Sequence, residues 1–254
     1  MGFKVSMIII KKPSSAIAET DLLKKLGLPG FSFRGETSFD ESMYPQDKSV
    51  NIGSFNNCLL ICDDYQLTVS LDNPENTQAL SEYEKTLTEI YPDSEILTVA
   101  CHSAVNYHMY SLVKNGQKIR YKRISAGEPL FEFGSRLEEE DRIYSFSKII
   151  GGQRMFRSTY KDDEVYDNTE DQMMEEFAFG IAKRHLGVMI STPDDDVLLN
   201  ATLKKYSAND KSGKKIEQPQ IPKEKAAQHG PNKRWIVYLC IIIILIVWQI
   251  LKRR

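Results

Sequence analysis

Cys101-His102-Ser103 is the stretch of this chain best supplied with reactive side chains. An imidazole can move protons near neutral pH, and a hydroxyl beside a base can act as a nucleophile. Successive residues on a strand point to opposite faces, however, so His102 and Ser103 cannot pair directly at the end of one. No Gly-x-Ser-x-Gly elbow, Gly-rich phosphate loop, dinucleotide fingerprint or zinc-protease motif accompanies them. The pair reads as a strand end with a structural histidine before it reads as a catalytic dyad.

Cys58, Cys62 and Cys101 with His102 are the residue types of a zinc site. Structural zinc draws its ligands from close Cys pairs on tight turns, and these cysteines fall in apolar runs. They are expected to be buried reduced thiols, as a cytoplasmic protein would carry. Gly151-Gly152-Gln153 matches the tripeptide that release factors use for peptidyl-tRNA hydrolysis. Three residues recur easily, and a flexible turn accounts for them. No cofactor and no metal are expected.

The elements that must position these groups follow from periodicity. Phe3 to Ile10, Cys58 to Cys62 and Glu95 to Cys101 are short β-rich apolar runs and predict buried strands. Thr20 can cap a helix through Leu26, ended by Gly27. Phe31 to Val50 has no clean period. Leu80, Tyr83, Leu87 and Ile90 form one helical face, and Pro92 stops that helix. Tyr107 to Lys114 and Lys118 to Ser125 flank Asn115-Gly116, a strong hairpin signal. The second arm places Lys118, Arg120 and Lys122 on one solvated face as a basic stripe. Arg136 to Ile149 and Asp171 to His185 read as amphipathic helices with acidic starts, which suits their dipoles. The predicted fold class is α+β: one domain over residues 1–203, with a mostly antiparallel sheet and helices packed on one face.

Charge divides the chain. Residues 1–203 hold 21 Lys or Arg against 32 Asp or Glu, a net −11. Residues 204–234 hold nine Lys or Arg against three acidic residues, a net +6, and are rich in Pro, Gln and Ser. That stretch cannot bury enough apolar surface to fold and is expected to be a disordered basic linker of roughly 30 Å span. Its prolines exclude the heptads with which a membrane-fusion protein would zipper. Trp235 to Leu251 reads WIVYLCIIIILIVWQIL, with Lys252-Arg253-Arg254 after it. Twelve Ile, Leu or Val residues favour insertion by about 5 kcal/mol. The seventeen residues rise about 25 Å, and snorkelling basic residues at both ends can cover the small shortfall. Trp235, Tyr238 and Trp248 fall near the interfaces, where amphipathic rings are favoured. The expectation is a single-pass C-terminal membrane anchor over 235–251 and a basic tail over 252–254. The opening residues are no signal peptide, and the basic linker places the body on the cytoplasmic side. Anionic headgroups are expected to attract the linker, by about 1 kcal/mol per basic residue near the surface. Nucleic acid is not an expected partner, because the basic residues lie in the linker rather than across a folded face.

The segments MGFKVSMIII, FDESMYPQD (Phe39–Asp47), LLICDD (Leu59–Asp64), CHSAVNYHMYSLVKNGQKIR (Cys101–Arg120), GEPLFEFG (Gly127–Gly134) and EEFAFG (Glu175–Gly180) occur in this order. In their order and spacing they resemble an uncharacterised bacterial family, a domain of unknown function, over roughly residues 1–185. The family brings no activity with it, and the basic linker and anchor look like additions to it. The resemblance does nominate Asp40, Tyr44, His102, Glu128 and Glu132, which stand in the matching segments. Tyr44 and Glu132 are candidate binding residues; His102 with Glu128 or Asp40 is the candidate acid–base set. Two functions follow. The first is an interaction module, with an unidentified protein partner, held at the cytoplasmic face of a membrane. The second is a tethered hydrolase using His102 with a nearby carboxylate.

Overall fold

In the computed structural model Val5 to Ile10 are all buried, Ser6 included. A run hidden on both faces belongs at the centre of a covered sheet. That is where strand β1 (Lys4–Lys11) lies, with antiparallel neighbours on either side, β4 (Cys58–Asp63) and β5 (Glu95–His102). The structure describes residues 3–44, 47–159, 165–190, 192 and 195–208. The chain divides into two units, Met1–Gly213 and Lys214–Arg254. The second unit, with the predicted anchor and most of the predicted linker, lies outside the described residues. Among the described residues no helix is long and apolar enough to cross a membrane.

The other strands of the main sheet are β2 (Phe31–Ser38), β3 (Val50–Phe55), β6 (Tyr107–Lys114), β7 (Gln117–Ile124), β8 (Phe131–Phe133) and β12 (Thr202–Ala208). The nine strands run β2-β12-β3-β4-β1-β5-β6-β7-β8, and every neighbouring pair is antiparallel. A separate sheet, β11-β10-β9, is built from β9 (Ser147–Ile150), β10 (Gln153–Thr159) and β11 (Val165–Thr169). Among the described residues six α-helices accompany the sheets: α1 (Glu19–Lys25), α2 (Phe39–Met43), α3 (Glu82–Ile90), α4 (Glu138–Tyr144), α5 (Met174–Leu186) and α6 (Asp196–Leu199). The fold class is α+β with a large antiparallel sheet.

The helices do not keep to one face, contrary to the sequence expectation. Val5, Met7 and Ile9 of β1 point into a core closed by α2, α4, α5 and α6, through Phe39, Tyr144, Phe177 and Leu198. Ile8 and Ile10 point the other way, into a core closed by Leu22 and Leu23 of α1 and by Tyr83 and Leu87 of α3. Both faces of β1 are apolar, so both need a cover.

Three further expectations are corrected. The domain does not stop at residue 203: β12 continues to Ala208 and inserts between β2 and β3, so Lys204 to Ala208 are strand rather than linker. The featureless stretch after Phe31 holds β2 and α2, with Ser38 capping α2 by accepting from the Glu41 amide. The helix predicted over Arg136 to Ile149 ends at Tyr144, and Ser147 to Ile150 pair instead with β10. Gly151 and Gly152 make that hairpin possible, both at positive φ (59° and 82°), as a tight two-residue turn demands.

The basic stripe of β7 is also not solvated. Val113 opposes Lys118 and Leu112 opposes Arg120, so Ile119 is an extra residue, a β-bulge. The bulge sends Lys118 to the α3 side and Arg120 with Lys122 to the α4–α5 side, all three buried. Gly134 fits against the same bulge: a Cβ there would sit 2.0 Å from the Ile119 carbonyl oxygen.

Candidate functional site

His102 closes β5 with its ring stacked on Tyr65, centroids 6.4 Å apart. Its Nδ1 is buried without a hydrogen-bond partner. Burial and the neighbouring Lys4 ammonium push its pKa down, so the ring is neutral at pH 7. Ser103 faces away, as strand alternation requires: its hydroxyl donates to Glu175 Oε2 at 2.6 Å and accepts from the Phe3 amide at 3.0 Å. Glu128 pairs with Arg123, and Asp40 stands on α2. Among the described residues no hydrogen bond or ion pair joins His102 to Asp40 or Glu128. The cavity of about 460 Å³ that Glu128 lines does not include His102. Acid–base work needs a carboxylate within hydrogen-bond reach of the imidazole, and neither carboxylate nominated with His102 makes that contact here.

The three described cysteines are free and buried. Cys62 and Cys101 flank β1 from β4 and β5, and burial pushes both thiols up. Cys58 points its sulfur to the His185 carbonyl at 3.3 Å. His108 and His185, which the sequence did not single out, are buried and pushed down to about 4, chiefly by burial. His185 Nε2 lies 3.3 Å from Glu95 Oε2 but makes no well-formed hydrogen bond with it.

Glu132 belongs to a buried charge network. Arg120 Nη2 lies 2.6 Å from Glu132 Oε2 and 2.5 Å from Glu140 Oε1, and Arg120 Nε donates to Glu140 Oε2 at 2.9 Å. The Tyr110 hydroxyl donates to Glu140 Oε1 at 2.8 Å, and the Leu137 amide donates to Oε2 at 2.8 Å. Next along β7, Lys122 donates to Glu170 at 2.7 Å and to the Tyr144 hydroxyl at 2.8 Å, with its ammonium 4.0 Å from the Phe177 ring centroid. Burial pulls the Lys122 pKa down while Glu170 opposes it. Arg120 is held above its ordinary value, because Glu140 and Glu132 outweigh its burial. Every charge here has an opposite charge in contact, the condition for hiding it at all. Glu132 is thus committed to Arg120 rather than presented to a ligand.

Asp40 and Tyr44 do come together. Both line a cavity of about 690 Å³ between α2 and the strands β2, β12 and β3. Glu36 of β2 and Glu41 of α2 join them, while Lys205 of β12 is tied to Asp47 at 2.5 Å. Hydrogen bonds from Thr37 and Ser38 hold the Glu41 carboxyl below the usual carboxylate range. Burial, then the charges of Asp40 and Glu175, push the Tyr44 phenol up. Asn51 of β3 also lines this space; it is 3% exposed and its Oδ1 has no partner. The sequence signal for Asn51 was slight: a residue strands disfavour, set between Val50 and Ile52.

A second surface is apolar. Phe146, Ile149 and Ile150 are 68%, 61% and 49% exposed, at or in β9. Among the described residues β9 pairs only with β10, and none of them covers its other edge. Beside Phe146 lies a cavity of about 350 Å³ lined by Ile143, Phe156, Met173 and Met189, with Arg142 and Lys183 at its margin. Phe146 and Ile149 fall in the stretch Arg136 to Ile149 that the sequence reads as a helix, so the strand edge they flank is not visible in it.

Compared with protein-family models, curated proteins and solved structures, the chain finds no match.

Proposed function

We propose that this protein is a membrane-tethered interaction module. The anchor is the apolar run Trp235 to Leu251, the basic linker meets anionic headgroups, and the acidic body sits at the cytoplasmic face. The observation that carries the interaction role is the open edge of β9 with Phe146, Ile149 and Ile150 standing out of it. Exposed hydrophobic edges are ordinarily blunted by charge, proline or a covering element, because their free backbone groups recruit another strand. β9 is short and carries one such charge, Lys148, yet Phe146, Ile149 and Ile150 beside it are left exposed. The partner this surface fits is an extended protein segment that adds to β9 through its backbone, with apolar side chains reaching the Phe156–Met189 cavity.

The test places a photo-crosslinking residue at Ile149 of the full-length protein in its native membrane. The expected result is one dominant crosslinked protein whose capture survives a rise in salt from about 0.1 to 0.5 M, since apolar and backbone contacts are little screened. Phe146→Ser with Ile150→Ser should abolish it. Capture that fades with salt, or persists in the double variant, would refute the reading.

A further inference from the structure

We propose that the cavity between α4, α5 and β10 binds a medium-chain carboxylate, an acyl chain of about eight carbons whose head meets Lys183 at the rim. Such a ligand goes beyond the interaction role. It takes the cavity that a docking segment's side chains would reach, but it needs no docked strand, so either reading can fail alone.

Gly180 is the first pointer. It is the seventh of the thirteen residues of α5 and lines the cavity. Glycine is the poorest helix former after proline, so one in a helix interior calls for a reason. Close packing is the usual one, and it does not apply here. A Cβ at this position would meet only Ile143 Cδ1, at 3.9 Å, an ordinary contact. There is room for a side chain and none fills it. What the glycine preserves is the space itself.

That space can be entered. Phe146 is exposed and Ile143, Met173, Gly180 and Met189 are half-buried, so the lining reaches solvent, with Phe156 as the inner wall. Met173 and Met189 are unbranched and adapt to the shape they touch. A volume of about 350 Å³ is at the small end for a ligand site and suits one flexible apolar chain.

The rim sets the charge of the head. Arg142, Arg157 and Lys183 stand there against Glu139 and Glu176. Glu139 turns toward Arg184, 3.9 Å away, with that oxygen buried. Loss of water around Glu176, with the Glu175 charge beside it, raises its carboxyl above the usual carboxylate range. Arg142 and Arg157 meet Glu138 and Asp167 at 3.3 and 3.5 Å, in exposed pairs that water weakens. Lys183 makes no hydrogen bond or ion pair among the described residues. One uncommitted ammonium beside an apolar hole matches one anionic head on an apolar tail. A cationic amphiphile would bring its head to three like charges.

The experiment follows the methionine methyl signals of the full-length protein in lipid nanodiscs as octanoate is added, with hexanoate and octylammonium as comparison probes. The Met173 and Met189 signals should move saturably with octanoate while that of Met7, buried in β1, stays in place. Hexanoate, two methylenes shorter, should bind roughly tenfold more weakly, and octylammonium should be at least as weak as hexanoate. Lys183→Gln should weaken octanoate about fivefold without weakening octylammonium. Gly180→Leu should abolish octanoate binding without lowering the Tm, because leucine is the better helix former and the cavity receives its side chain. No saturable movement at Met173 and Met189, octylammonium equal to octanoate, or octanoate indifferent to both substitutions would each overturn the proposal.

Discussion

Replacing Glu140 by Gln is the sharpest test of how the interior is held together. Glu140 is fully buried; its two oxygens accept three hydrogen bonds from Arg120, and one each from the Tyr110 hydroxyl and the Leu137 amide. Gln keeps the shape and one acceptor oxygen, so packing is preserved. What is lost is the charge that offsets Arg120, itself 1% exposed. Glu132 remains, but its side chain is 41% exposed and solvent shares it. Removing one partner of a buried pair costs about 3–5 kcal/mol. With Glu132 compensating in part, Glu140→Gln should cost about 2–4 kcal/mol. The same reasoning predicts that Arg120→Met with Glu140→Leu recovers most of the loss, because neither charge then has to be desolvated. The remainder reflects the orphaned Tyr110 hydroxyl and Leu137 amide. Urea unfolding followed by far-ultraviolet circular dichroism measures this. Tryptophan fluorescence would not, since both tryptophans, Trp235 and Trp248, lie in the predicted anchor. A Glu140→Gln variant within about 0.5 kcal/mol of the parent, or a double variant worse than the single one, would refute the electrostatic account.

Stability should fall on mild acidification. His108 and His185 are pushed down from 6.5 to about 4, so the unfolded chain binds protons that the fold refuses, and about 3 kcal/mol each is lost as pH falls from 6.5 through 4. Asp63 works oppositely: burial raises it from 3.8 to about 6, so its contribution grows as pH falls through 6 and returns about 3 kcal/mol. Urea midpoints between about pH 7 and 4.5 should therefore decline more steeply in Asp63→Asn than in the parent, and equal slopes would contradict the assignment. Gly134→Ala should destabilise by at least about 2 kcal/mol, from its positive φ and the Ile119 carbonyl behind it, read as a lowered Tm. Ile243→Lys with Leu245→Lys should release the full-length protein from vesicles in alkaline carbonate while the parent stays bound. The two lysines cost about 5–7 kcal/mol against the roughly 5 kcal/mol gained by the run.

What the sequence made legible was what local rules control. β1, β4 and β5 were readable because each is a short run buried on both faces, and the β6–β7 hairpin because Asn115-Gly116 admits few alternatives. The α5 helix and its stop at Gly187 followed from period and cap. Misreadings arose where a distant element decides. The segment Ser147 to Ile150 has the apolar spacing of a helix end, and only pairing with β10 makes it strand. Lys204 to Ala208 is basic and polar, as a linker would be, yet β2 and β3 enclose it as β12.

The charges of β7 show the same dependence most directly. On strict alternation Lys118, Arg120 and Lys122 share a face, and a row of three cations can face only water. One extra residue at Ile119 breaks the row, and the fold then supplies each cation with its own carboxylate: Glu84 from α3, Glu140 from α4 and Glu170 ahead of α5. None of those partners is near β7 in sequence, so no local pattern announces them. The same economy bears on function. Residues 1–208 hold 23 Lys or Arg against 32 Asp or Glu, a net −9; Glu84 and Glu140 are committed to interior bases, while Glu36 and Asp40 stay at the surface. Asp40 and Tyr44 share a segment, but they meet at one cavity only because β2, β12 and β3 lie against α2 there, and β12 comes from more than 150 residues further along the chain.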